Sequence, residues 1–170
     1  ARQSAWCWLA ALTSTAIYTW LFWQVALPFQ SALNLFYMVM AVYGYWQWHH
    51  KPGEDKSVQS RSLSWHVLAV FGLTAVAVGL GKLAATQFNS EYLWLDAAIN
   101  VFSVATTFMV AHKILQNWIY WFVINTAAVF LYWQSGLILS ACLFIGYVGF
   151  SVYGYNQWKQ EWSERSLTNS

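Results

Sequence analysis

Val42-Tyr43-Gly44-Tyr45-Trp46-Gln47-Trp48 is matched by Val152-Tyr153-Gly154-Tyr155-Asn156-Gln157-Trp158, 110 positions further along the chain. Both copies close a long apolar run. The match continues upstream, where Leu21-Phe22-Trp23-Gln24 stands opposite Leu131-Tyr132-Trp133-Gln134 and Trp8 stands opposite Trp118. A unit of roughly fifty residues repeated in an apolar chain predicts a protein built from two related halves, with a ligand held between them near the middle of a bilayer.

Composition fixes the solvent. The chain is 59% hydrophobic and only 8% charged, and holds 13 Trp, 10 Tyr and 11 Phe. Soluble domains carry roughly 25% charged residues, and a single core of this length cannot hide so much apolar surface. The reading is an all-α integral membrane protein. The first apolar run is too long for a secretory leader and leads into a second. Cys7 and Cys142 make no disulfide framework.

Apolar runs of about twenty residues, the length a bilayer needs, predict six spans over residues 5–26, 32–48, 63–85, 93–112, 117–134 and 137–158. A polar segment, residues 49–62, holds Pro52, Gly53 and five charges. Threading the chain through six spans puts Arg2, Lys51, Lys56, Arg61, Lys113, Lys159 and Arg165 on one side, with Lys82 alone at the other. The positive-inside rule makes the richer side, and both visible ends, cytoplasmic.

Equivalent spans of the repeat lie four apart, an even offset, so the two units are parallel and related by an axis along the membrane normal. Residues 1–50 form the first repeat, 63–85 a linker helix, 93–158 the second repeat and 159–170 a cytoplasmic tail. The fourth span then needs a partner ahead of the first. This predicts a seven-helix core of three, one and three helices, the first helix missing from the sequence in hand and the complete N-terminus extracytoplasmic.

Polar groups in hydrocarbon are costly unless paired or facing a cavity, so those within spans are the candidates for ligand contact. Trp118, Trp121, Asn125 and Tyr132 fall at relative positions 0, 3, 7 and 14 and share a helical face. Trp8, Ala11, Thr15 and Phe22 hold the equivalent places in the first repeat. Asp96, Asn100, Ser103 and Thr107 form a second stripe, and Thr15 and Gln24 complete the candidate lining. Each has a plainer reading. Trp118 also fits an interfacial belt residue beside Lys113, Asn125 fits an interhelical hydrogen bond, and Ser103 and Thr107 fit bonds to backbone. His66 and His112 read as interfacial. Gly44 and Gly154 fit close helix packing better than ligand contact.

No catalytic triad, metal-ligand cluster, phosphate-binding glycine loop or basic nucleic-acid patch can be assembled, so the reading is not an enzyme, with no cofactor, no metal and no nucleic-acid partner. Asp96 is the one acidic residue within a span, and it is shallow. Without a buried coupling carboxylate, the simplest carrier equilibrates its substrate down a gradient.

The residues Trp6-Cys7-Trp8, Ser14-Thr15-Ala16, Phe36-Tyr37 before Val42-Tyr43-Gly44-Tyr45, and Asn117-Trp118-x-x-Trp121-x-x-x-Asn125 resemble the PnuC family of vitamin transporters over essentially the whole chain. The resemblance implies a seven-helix core, a bacterial inner-membrane homotrimer and uncoupled transport of nicotinamide riboside, trapped by a cytoplasmic kinase that acts downstream. It also implies ligand contact at Trp118, Trp121 and Asn125. Many relatives carry Asp where this chain has Asn125, and some carry thiamine or riboflavin. Nicotinamide riboside has a flat cationic ring, which a Trp face attracts by about 0.5–2 kcal/mol. Thiamine is the alternative substrate, and a membrane scaffold or receptor subunit the alternative outside transport.

Overall fold

The protein is described by a computed structural model over residues 6–24, 28–49, 58–86 and 92–168. It is all-helical there, in six helices: α1 (Trp6–Gln24), α2 (Pro28–His49), α3 (Leu63–Ala85), α4 (Leu93–Ala111), α5 (Asn117–Gln134) and α6 (Ile138–Thr168). Arg2, Lys51 and Lys56, used in the orientation argument, lie outside the described residues.

Local chemistry accounts for the boundaries. Ser62 caps α3 by accepting the Trp65 N–H. α5 ends in a Schellman turn: Gly136 takes φ +74°, its N–H donates to Trp133 O at 3.1 Å, and Leu137 N–H donates to Tyr132 O at 2.9 Å. α4 ends the same way, with Lys113 at φ 53° in place of the usual glycine. α2 opens at Pro28, four residues ahead of the expected start at 32, where the missing N–H of proline has no intrahelical partner to lose. α6 runs well past the expected end at Trp158 and finishes at Thr168. Lys159 to Glu164 is polar but contains no helix breaker, so the helix outlasts its apolar stretch.

α3, α4 and Ile138–Glu164 of α6 are each long and apolar enough to cross a membrane on their own, and α1 holds the shorter apolar stretch Cys7–Ile17. Large apolar side chains cover the outside, with Leu68 75%, Phe71 73% and Leu139 89% exposed, a surface that needs lipid against it.

The helices pack as two hairpins, α1 with α2 and α5 with α6, joined through α4, which touches α2, α3 and α5. Among the described residues α3 packs on α4 alone of the helices at backbone level. Each hairpin is closed by the same device. An ideal Cβ on Gly44 would sit 2.5 Å from the Trp8 ring, and one on Gly154 would sit 2.5 Å from the Trp118 ring. Trp8 meets Trp48 edge-on at 5.5 Å and 89°, and Trp118 meets Trp158 edge-on at 5.5 Å and 90°. The repeated Gly and Trp are therefore one packing unit used twice: glycine removes the Cβ so that an indole can lie on the facing backbone. Trp94 on Gly81 joins α3 to α4 in the same manner.

The two units meet at the end of the molecule that carries Arg61 and Lys113, here the basic end. Trp48 and Val110 pack against both the Trp8 cluster and the Trp118 cluster. Trp48 Nε1 donates to Ala111 O at 3.0 Å, and Lys113 Nζ lies 5.2 Å from the centre of the Trp48 ring.

Candidate functional site

Periodicity puts Trp118, Trp121, Asn125 and Tyr132 on one face of α5, and the structure shows what that face meets. Three of them address α6. Trp118 lies on Gly154 and edge-on to Phe150 at 5.8 Å. Asn125 Nδ2 donates to Ser151 Oγ at 3.2 Å. The Tyr132 ring tilts at 37° over Phe144, 5.1 Å away. Trp121 is half-buried and packs against the cluster of Val58, Leu115, Trp118 and Trp158. The stripe thus borders the α5–α6 seam, with Trp118 and Asn125 buried in it and Trp121 and Tyr132 partly open.

The first repeat fills the same places with smaller groups. Thr15 donates its hydroxyl to its own helix, to Ala11 O at 2.7 Å and Leu12 O at 3.2 Å. Gln24 is the last residue of α1, and its side chain lies outside the described residues. On α4, Asn100 Nδ2 donates to Asp96 O (2.9 Å) and Asp96 Oδ1 (3.0 Å), so the two close a local pair. Ser103 is buried and its carbonyl accepts the Thr107 hydroxyl at 2.9 Å.

Further contacts hold the helices around this stripe. Ser151 is 2% exposed and donates to Tyr147 O at 2.8 Å while accepting from Asn125. His112 Nδ1 sits 2.8 Å from Phe108 O and its Nε2 sits 3.1 Å from Tyr43 Oη. Phe108 O can only accept, so Nδ1 carries a hydrogen, and this histidine links α2 to α4. His66 Nδ1 pairs with Tyr120 Oη at 3.0 Å across α3 and α5. Both histidines thus join helices. Asn117 is fully buried and donates to Ile114 O at 2.6 Å. Trp8 and Trp118 each bury an indole N–H that has no partner among the described residues.

Beneath Trp118 the α2–α3 connection is strapped to the α4–α5 turn. Gln59 N–H donates to Lys113 O (2.9 Å), and Leu115 N–H donates to Gln59 O (2.8 Å), a single parallel bridge. Gln116 clamps the next two residues. Its Nε2 donates to Ser60 Oγ (2.6 Å) and Arg61 O (3.3 Å), and its Oε1 accepts the Arg61 N–H (3.2 Å). Val58 is buried at 3% exposure against Leu115, Trp118 and Trp158.

Two grooves open on the α3 side. One of about 480 Å³ is almost wholly apolar, between Val70, Phe102, Ile119 and Val123. The other, about 580 Å³, runs from Arg61 and Trp65 past His112 to Tyr120. Neither is lined by Trp118, Trp121 or Asn125.

A helical membrane protein with a duplicated hairpin and an aromatic-and-amide stripe on one copy has the build of a small-molecule carrier. The chain belongs to the nicotinamide mononucleotide transporter family, whose model matches residues 1–160. It is 20% identical to the nicotinamide riboside transporter PnuC of Escherichia coli (strain K12), over 91% of this chain and 76% of that protein. The protein of the same name from Shigella flexneri matches to the same extent. No solved structure gives a significant match. The protein is accordingly a membrane transporter of the vitamin type.

Proposed function

We propose that the protein imports nicotinamide riboside across a bacterial inner membrane by facilitated diffusion, supplying NAD synthesis. The observation that carries this reading is the family match over residues 1–160, together with relatives named as nicotinamide riboside transporters. The chemistry of the stripe supports it. Trp121, half-buried on α5, would offer an aromatic ring to the pyridinium, and Asn125 and Tyr132 would offer hydrogen bonds to hydroxyl and carboxamide groups. Among the described residues, the acidic side chain within the apolar part of a span is Asp96, exposed and paired with Asn100, while Glu161 and Glu164 lie at the polar end of α6, which favours uncoupled movement over proton or sodium coupling. Phosphorylation by a cytoplasmic kinase then traps the riboside. The basic end faces the cytoplasm, and the working unit is a homotrimer.

Uptake into proteoliposomes tests this reading. Labelled nicotinamide riboside equilibrates without an ion gradient and stops at equal concentrations on the two sides. Accumulation above equilibrium on imposing a sodium or proton gradient refutes the uncoupled mechanism. Competition by thiamine at lower concentration than by the riboside reassigns the substrate. A protein whose melting temperature responds to neither vitamin is a scaffold.

A further inference from the structure

The two repeats differ at two positions that touch. In the second repeat Asn125 faces Ser151; 110 residues earlier the same places hold Thr15 and Ala41. Thr15 turns its hydroxyl back to its own helix, and Ala41 is buried with 2% exposure. The second repeat thus has a hydrogen-bonded bridge where the first has a threonine bonded to its own helix and a buried alanine. A hydroxyl can be satisfied by its own helix, as Thr15 and Ser151 are, but a buried amide needs a partner across the seam, and Ser151 is the one Asn125 has here.

The bridge has a fixed direction. Ser151 has one hydroxyl hydrogen, and it goes to Tyr147 O at 2.8 Å. Toward Asn125 the serine oxygen can therefore only accept. The group opposite must be the amide NH2, as the 3.2 Å Nδ2 to Oγ contact shows. A flipped amide would set its carbonyl oxygen against the serine oxygen unless the hydroxyl hydrogen left Tyr147 O, at the loss of one hydrogen bond. Ser151 and Asn125 are 2% and 5% exposed, so water does not relieve that conflict.

We propose that Ser151 is a positioning residue for the ligand site: by accepting from Asn125 Nδ2 it locks the amide with carbonyl Oδ1 turned away from α6, so that the site presents an acceptor and selects ligands with a hydrogen-bond donor there. The inference rests on the functional reading above, in which Asn125 contacts the vitamin. It adds the sense of the contact. The ligand group that meets Oδ1 is a hydroxyl or an amide N–H, not a carboxylate or carbonyl.

The test uses the purified full chain in detergent, with affinity measured by calorimetry and folding by thermal melting. The probes are nicotinamide riboside, its analogue with carboxylate in place of carboxamide, and its deoxyribose analogues. Wild type should discriminate by about tenfold against the analogue lacking the donor that meets Oδ1, the weight of one buried hydrogen bond. In Ser151→Ala the amide is free to turn, and that discrimination falls below about twofold, while the analogues that keep the donor are affected equally. Ser151→Thr keeps the hydroxyl and the wild-type pattern. Asn125→Ala and the double variant with Ser151→Ala bind alike, because the serine acts only through the amide. Wild-type discrimination retained in Ser151→Ala overturns the proposal. A uniform weakening toward every probe, tracking a lower melting temperature, overturns it too and leaves Ser151 a packing residue. Wild type that binds none of the probes refutes the functional reading itself.

Discussion

Alanine at Gly154 and alanine at Gly149 should move stability in opposite directions, although the two glycines lie five residues apart on α6. At Gly154 an ideal Cβ would sit 2.5–2.6 Å from three atoms of the Trp118 ring. Carbon atoms pack at about 3.5–4.0 Å, so the ring would have to retreat by about 1 Å. It has little room, being held edge-on by Trp158 at 5.5 Å and Phe150 at 5.8 Å. Overpacking of this kind costs about 1–3 kcal/mol. At Gly149 nothing lies within 4 Å of the added carbon. Both substitutions gain the same helix propensity, about 1 kcal/mol. That gain cancels in the comparison, leaving the steric term of about 1–3 kcal/mol as the difference. Denaturant or thermal unfolding of the detergent-purified variants measures it. Gly44→Ala, against Trp8, should repeat the loss in the first repeat, and Trp118→Phe should relieve Gly154→Ala in a double-mutant cycle. Stabilities for Gly154→Ala and Gly149→Ala within about 0.5 kcal/mol of each other would refute the Trp-on-Gly reading of the repeat.

Trp121→Ala should weaken nicotinamide riboside binding at least tenfold, about 1.4 kcal/mol, with the protein still folded; unchanged affinity by calorimetry rejects the aromatic contact. Gln116→Ala removes a clamp of three hydrogen bonds between the strap and the α4–α5 turn. It should cost about 1–2 kcal/mol at this exposed position and raise hydrogen exchange at the residue 59–62 amides, and protection equal to wild type counts against the strap as a stabilising latch.

Much of the fold was legible because membrane helices announce themselves by length and hydropathy. The expected ranges for α3 and α5 coincide with Leu63–Ala85 and Asn117–Gln134. Hydropathy marks where apolar residues stop, not where helical hydrogen bonding stops, and so it cut α6 at Trp158. The start of α2 at Pro28 is not legible from hydropathy, because proline both ends and begins helices, and only the surrounding chain decides which. The Gln59–Ile114 bridge pairs two connections 55 residues apart, and nothing local in either forecasts the other. The stripe on α5 was legible as a shared face. Periodicity states which residues look the same way and is silent on what they look at, so the contacts with Gly154, Ser151 and Phe144 needed the structure. Ser151 carried one readable signal: it differs from its repeat partner Ala41 as Asn125 differs from Thr15.

Identity between the repeats and difference between them divide the labour of the molecule. Trp8, Gly44 and Trp48 recur as Trp118, Gly154 and Trp158, and their geometry recurs to within a degree in ring angle. A contact in which a missing Cβ admits an indole constrains both residues together, which is reason enough for both copies to keep them. Trp118 therefore has a sufficient explanation in packing. Trp121 has none of that kind. Its counterpart Ala11 packs against the Trp8 cluster with a single methyl group, so closing the hairpin does not require an indole at this position. The extra ring in the second repeat stays half-buried beside Val58 and Trp118. A duplicated scaffold with a large aromatic on only one half presents an asymmetric surface, and a riboside, with a flat cation at one end and hydroxyls at the other, is an asymmetric ligand. The Trp121→Ala measurement thus weighs more than a Trp118 variant. Loss of Trp118 confounds binding with folding, whereas loss of Trp121 tests the one aromatic that the scaffold does not demand.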